Sequence, residues 1–93
     1  MKYSLIFTDT YNKCAKKFLK CHPGLIELYQ KSLELLSLNP HHSSLRLHRL
    51  EGKLKNLYSI SIHLKYRITF EFILDNEKIL LINIGNHRTA YGN

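Results

Sequence analysis

Tyr58-Ser-Ile-Ser-Ile-His-Leu-Lys-Tyr-Arg-Ile-Thr-Phe-Glu-Phe72 holds two strictly alternating segments in succession. Tyr58, Ile60, Ile62 and Leu64 take one face, and Ser59, Ser61 and His63 the other. Tyr66, Ile68, Phe70 and Phe72 then take one face, and Arg67, Thr69 and Glu71 the other. A period of two in β-branched and aromatic residues predicts half-buried antiparallel strands. Asp75-Asn76 supplies a turn, and Ile79-Leu-Leu-Ile-Asn-Ile84 follows, apolar at nearly every position. That run is expected to be a central strand covered on both faces. The sheet then has one apolar face for a core. Its other face carries hydroxyls, an imidazole, a guanidinium and a carboxylate, and the tail Gly85-Asn-His-Arg-Thr-Ala-Tyr91 arrives at its edge.

The segments upstream supply a cover for the apolar face. Tyr3-Ser-Leu-Ile-Phe7 alternates and is expected to be a strand. Thr8, Asp9 and Thr10 offer N-cap oxygens. Tyr11, Cys14, Ala15, Phe18 and Leu19 form one helical stripe, with Lys13, Lys16, Lys17 and Lys20 opposite. Pro23 ends this helix, because the residue before proline leaves the helical region, and opens the first turn of another. The second stripe is Leu25, Leu28, Tyr29, Ser32, Leu35 and Leu36, ended by Asn39-Pro40. Tyr11, Phe18, Leu28, Leu35, Ile60, Ile62, Ile68 and Phe70 are the expected core. From His41 to Asn56 the chain is a polar surface connection pinned by Leu45, Leu47, Leu50 and Leu54. The predicted fold is an α+β two-layer sandwich, β-α-α-β-β-β, with a helix hairpin on one face of an antiparallel sheet.

The 93 residues suffice for one domain, 1–93, and one core. No apolar run approaches the ~20 residues of a membrane span. Asp9 arrives before any signal-type apolar run builds up, so a cytoplasmic protein is expected. Two cysteines are too few for a disulfide framework. Cys14, Cys21, His22, His41 and His42 match none of the usual zinc-ligand spacings, so no metal or cofactor is expected.

Charge points to the partner. Fourteen Lys and Arg face seven Asp and Glu, for a net +7. A small domain this basic has the footprint of a polyanion binder. Arg46, Arg49, Lys53, Lys55, Lys65 and Arg67 face only Glu51 between His41 and Arg67, so the excess lies on the connection and the polar strands.

The residues there suit phosphoryl chemistry. Arg67 offers a fixed guanidinium fork for a phosphate. His87 exchanges a proton near neutral pH, and Tyr91 donates a hydrogen bond. Ser59, Ser61, His63 and Glu71 share the polar face. RNA cleavage by the adjacent 2′-hydroxyl requires such a set: a base for the 2′ proton, an acid for the leaving 5′-oxygen and a cation for the phosphorane. His48-Arg-Leu-Glu-Gly52 is a second candidate, with Glu51 placed to orient His48. A solvated strand face and a polar turn are the plain alternatives.

Leu50-x-Gly52, Leu57-Tyr-Ser-Ile-x-Ile62, Tyr66-Arg-Ile-x-Phe70, Ile82-x-Ile-Gly-x-His87 and a closing Tyr91 together resemble the RelE/ParE superfamily of bacterial and archaeal toxins. The resemblance spans essentially the whole chain. It implies a toxin neutralised by a cognate acidic antitoxin, and a ribosome-dependent mRNA endonuclease acting in line through the 2′-hydroxyl without metal. It implies transition-state stabilisation by Arg67, proton donation by His87 and RNA stacking or protonation by Tyr91. His48-x-Leu-x-Gly52 is similar to a motif of YafQ-like members. Arg46, Arg49, Lys53, Lys55, Ser61 and His63 are then the expected RNA contacts. The chain departs from the pattern at Ser59 and Ser61: RelE places lysines on that strand face, and YafQ-like members a histidine at the Ser61 position. His48 is therefore the favoured base and His63 the next. A ParE-like inhibitor of DNA gyrase and a non-catalytic basic nucleic-acid-binding module are the competing functions.

Overall fold

The computed structural model describes residues 3–50, 57–63, 65–73 and 77–86. Strand β1 (Ser4–Ile6) leads directly into helix α1 (Asp9–Cys21). Thr8 caps that helix from extended backbone, its Oγ1 accepting the Tyr11 N–H at 3.0 Å. The helix stops at His22, and Pro23–Leu25 form one 3₁₀ turn before α2 (Ile26–Leu38) begins. Proline stands at the start of that turn, where its missing N–H leaves no bond unmade.

The connection after α2 is more ordered than a polar loop. Ser43–Leu45 form another 3₁₀ turn, and His48–Arg49 form a short strand, β2. Leu45 and Leu50 are buried and Leu47 half-buried, so these three leucines anchor it. Leu54, Leu64 and the Asp75-Asn76 turn lie outside the described residues. Three strands follow: β3 (Leu57–Ser61), β4 (Tyr66–Ile73) and β5 (Lys78–Asn86).

The sheet has the order β1-β5-β4-β3-β2. β3, β4 and β5 pair antiparallel, as expected of the three-strand meander, and β2, which the sequence reading placed in a polar connection, adds to β3 antiparallel. β1 departs from the expected all-antiparallel sheet: it pairs parallel with β5, Leu5 opposite Ile79. Alternation reports which face a residue takes and is blind to strand direction.

Register places the apolar residues in rows. Ile60 stands opposite Ile68, itself opposite Ile84, and Tyr58 stands opposite Phe70. Tyr58 and Phe72 flank Phe70 at ring-centroid distances of 6.2 and 5.2 Å. Tyr11, Ala15, Tyr29 and Leu36 from the helices close over these rows.

Burial corrects the expected core in three places. Leu28 is 39 % exposed, because the buried side of α2 carries Tyr29, Ser32 and Leu36 instead. Phe18 and Leu35 are only half-buried, packed against the core from its border. β5 is not covered on both faces. A register shift between Thr69 and Phe70 leaves Ile82 without an opposite residue and 37 % exposed, while Ile79, Leu81 and Ile84 all reach the core.

Candidate active site

Cross-strand register builds the polar face row by row. Ser61 lies opposite Arg67 and Arg67 opposite Gly85. Across the first of these pairs the Arg67 Nη1 donates a hydrogen bond to Ser61 Oγ at 2.7 Å. The next row is His48, Ser59 and Thr69; Asn83 stands opposite Thr69 beside the bulge, and its side chain turns to α1. Ser59 and Thr69 are buried at 0 % and 2 % exposure and form a floor, while His48 at its end is exposed. By strand spacing and rise, the His48 and Arg67 Cα atoms lie roughly 12 Å apart.

The half-buried Arg67 is thus a cation held, among the described residues, by the Ser61 hydroxyl. Ser61 supplies the acceptor that orients it. A lysine or imidazole in place of that hydroxyl brings a cation or a proton carrier beside the guanidinium. Among the described residues of this row, Ser61, Arg67 and Gly85, serine leaves Arg67 as the cation.

The other expected contacts divide. Arg49 stands opposite Tyr58 and takes the apolar side of the sheet, away from His48. His63 lies beyond the end of β3 and is exposed, so it does not continue that strand's polar face. With Arg46 and Ser61 it lines a cavity of about 260 Å³, completed by Leu28, Ser44 and Ile62. Leu28 and Ser44 were not expected at a site. One signal was available for Leu28: α2 carries Ile26, Leu28, Tyr29, Leu33, Leu35, Leu36 and Leu38, more apolar positions than one helix face buries. Lys53, Lys55, His87 and Tyr91 lie outside the described residues, as does Glu51.

The sulfur and imidazole groups are spread among separate tasks. The Cys14 thiol donates to Asn83 Oδ1 at 3.0 Å and to the Ile84 carbonyl at 3.5 Å, which ties α1 to β5 beyond the end of β1. The His22 ring packs between Phe18 and Tyr66 at centroid distances of 4.6 and 4.7 Å. His42 Nδ1 accepts the Ser44 N–H and caps the second 3₁₀ turn. Among the described residues no group of three or more His, Cys, Asp or Glu side chains converges as metal ligands. No described helix is long and apolar enough to cross a membrane.

No protein-family model matches the chain, and no curated protein sequence is significantly similar. Solved structures do match. The YafQ toxin in the E. coli DinJ–YafQ toxin–antitoxin complex is 15 % identical, with a TM-score of 0.76 over 99 % of this chain and 100 % of that one. A YoeB/ParE toxin from Agrobacterium tumefaciens is 13 % identical, with a TM-score of 0.72 over 90 % of this chain and 98 % of that one. The archaeal RelE–RelB complex from Pyrococcus horikoshii OT3 contributes a chain 15 % identical, with a TM-score of 0.70 over 95 % and 98 %. The chain has the fold of the RelE/ParE toxins.

Proposed function

We propose, from the RelE/ParE toxin fold that this chain carries, that it is the toxin of a toxin–antitoxin pair and cleaves mRNA on the ribosome. The observation that carries this reading is Arg67. It is held by Ser61 on the polar sheet face, with His48 two strands away on the same face. That is the arrangement in-line cleavage of a phosphodiester calls for, with a fixed cation at the phosphate and a proton acceptor to one side.

The proposed step begins when His48 takes the proton of a ribose 2′-hydroxyl. The 2′-oxygen forms a bond to phosphorus, and Arg67 neutralises the charge on the phosphorane oxygens. The bond from phosphorus to the 5′-oxygen breaks as His87 protonates the leaving oxygen. The products are a 2′,3′-cyclic phosphate and a 5′-hydroxyl. Tyr91 stacks on or orients the substrate. The roles of His87 and Tyr91 rest on the sequence resemblance alone. No metal enters the step.

The antitoxin is proposed to be acidic, with a disordered segment that folds onto the basic surface from Arg46 to Arg67. The YafQ neighbour was solved in a toxin–antitoxin complex with DinJ, and the archaeal RelE neighbour in a complex with RelB. The complex is proposed to act in the cytoplasm.

Primer extension on mRNA bound to purified ribosomes tests the reading, with wild type, Arg67→Ala and His87→Ala compared. Cleavage by wild type in the presence of a chelator, and its loss in both variants, is the expected result. Absence of cleavage together with accumulating gyrase–DNA breaks replaces the nuclease with a ParE-like gyrase inhibitor. Absence of both, with RNA binding retained, leaves a non-catalytic binding module.

A further inference from the structure

We infer that the cavity between α2, the second 3₁₀ turn and the end of β3 is a subsite for one unpaired nucleobase. This inference rests on the RNA reading of Arg67.

The cavity arises from the way two strands part company. β2 and β3 pair from Leu50, whose N–H bonds the Leu57 carbonyl, to His48 opposite Ser59. Before His48 the chain turns aside, because Arg46 takes the left-handed conformation at φ 52° after the 3₁₀ turn. The outer edge of β3 at Ser61 therefore loses its neighbour. Ile62 donates its N–H to the Tyr66 carbonyl on the β4 side. Antiparallel ladders alternate, so the main-chain N–H and C=O of Ser61 point the other way, into the gap.

The lining suits a base. Leu28 and Ile62 give apolar walls, and Ser44, Arg46, Ser61 and His63 give donors and acceptors around them. A volume of about 260 Å³ falls below the ~300–1,000 Å³ of pockets for drug-sized ligands, so it holds one small group. Sequence-selective RNA recognition takes unstacked bases into such slots and reads their edges by hydrogen bonds. Leu28 is an exposed leucine with no role in the core, and a base against it removes that apolar surface from water.

Position links the cavity to the chemistry. Ser61 lines it and also holds Arg67 at 2.7 Å. A phosphate on Arg67 therefore lies next to a base in the cavity, as neighbouring parts of one strand. The subsite selects which base flanks the cleaved bond.

Binding decides the matter without cleavage. A single-stranded hexaribonucleotide and the same strand with abasic residues are titrated at low salt into protein labelled at Leu and Ile methyls. The intact strand is expected to shift the Leu28 and Ile62 methyl signals by ring current, and the abasic strand is not. Leu28→Gln, at an exposed helix position, is expected to weaken the intact strand about tenfold and leave the abasic strand unchanged. Lys16→Gln, on the exposed face of α1, is expected to preserve the discrimination. Equal binding of the two strands overturns the subsite, as do methyl signals that move only with an acidic peptide. Base-dependent binding by a protein that fails to cleave on ribosomes supports the subsite and overturns the nuclease reading instead.

Discussion

Among the described residues, the Ser61 hydroxyl is what holds the Arg67 guanidinium, at 2.7 Å. On the proposed mechanism Arg67→Ala removes the phosphorane's cation, and it is expected to lower kcat for ribosomal mRNA cleavage by ~10²–10³-fold. Arg67→Lys is not expected to restore it, since an ammonium lacks the planar fork. Ser61→Ala keeps the charge but frees the guanidinium. It is expected to lower kcat about tenfold with little change in KM, whereas Ser61→Thr, which keeps the hydroxyl, is expected to stay near wild type. A Ser61→Ala enzyme with unchanged kcat rules out the positioning role. Arg67 was legible in the sequence because it interrupts an aromatic strand at a polar-face position. Its partner was not, since only cross-strand register reveals that Ser61 lies opposite.

The two faces of α2 separate at the scale of the element. Leu36 is fully buried and Leu28 is 39 % exposed, although both fall on the sequence's stripe. Leu36→Ala is therefore expected to destabilise by ~2–5 kcal/mol in denaturant titrations. Leu28→Ala, leaving no comparable cavity, is expected to cost less than about 1 kcal/mol. A large loss from Leu28→Ala would place that side chain in the core after all. On the sheet, Phe70→Ala is expected to cost about 3–5 kcal/mol, as its ring is fully buried between Tyr58 and Phe72. The helix stripe was readable to within one turn, and the facing within β3 and β4 to the residue, whereas the bulge in β5 was not readable. Strand alternation admits only two faces, whereas a helix rich in leucine can rotate its buried arc by tens of degrees and still bury leucines.

Across the whole molecule, charge and burial set the response to solution conditions. Tyr11 and Tyr29 join hydroxyls at 3.0 Å beneath the sheet. Burial above all pushes both phenols upward from 10.0, and for Tyr11 the hydrogen bond to Tyr29 pushes in the same direction. The native state therefore keeps these protons at pH values where the unfolded chain releases them. Their contribution is complete below pH 10 and is lost as pH rises above it. Unfolding monitored by circular dichroism is expected to show stability falling above pH 10, and less steeply in Tyr11→Phe. An equal slope in that variant would place the alkaline sensitivity elsewhere. The net +7 has its own consequence: reversing Arg49, Lys53 and Lys55 together is expected to weaken binding of the proposed acidic antitoxin in titration calorimetry at low salt. Unchanged affinity would move the antitoxin off that surface.

Local pattern determined what local physics controls. Two helices with their capping and breaking residues, three long strands, the facing of residues within β3 and β4 and the basic excess between His41 and Arg67 all follow from neighbours within a few positions. Tertiary structure alone decided that β1 runs parallel to β5, that a bulge turns Ile82 outward, that Arg49 and His48 part to opposite faces, and that β2 and β3 splay open beside Ser61. Each of these depends on which residues meet across a gap in sequence. Periodicity carries facing but neither partner nor direction, and a cavity is defined by the partners that a strand edge lacks.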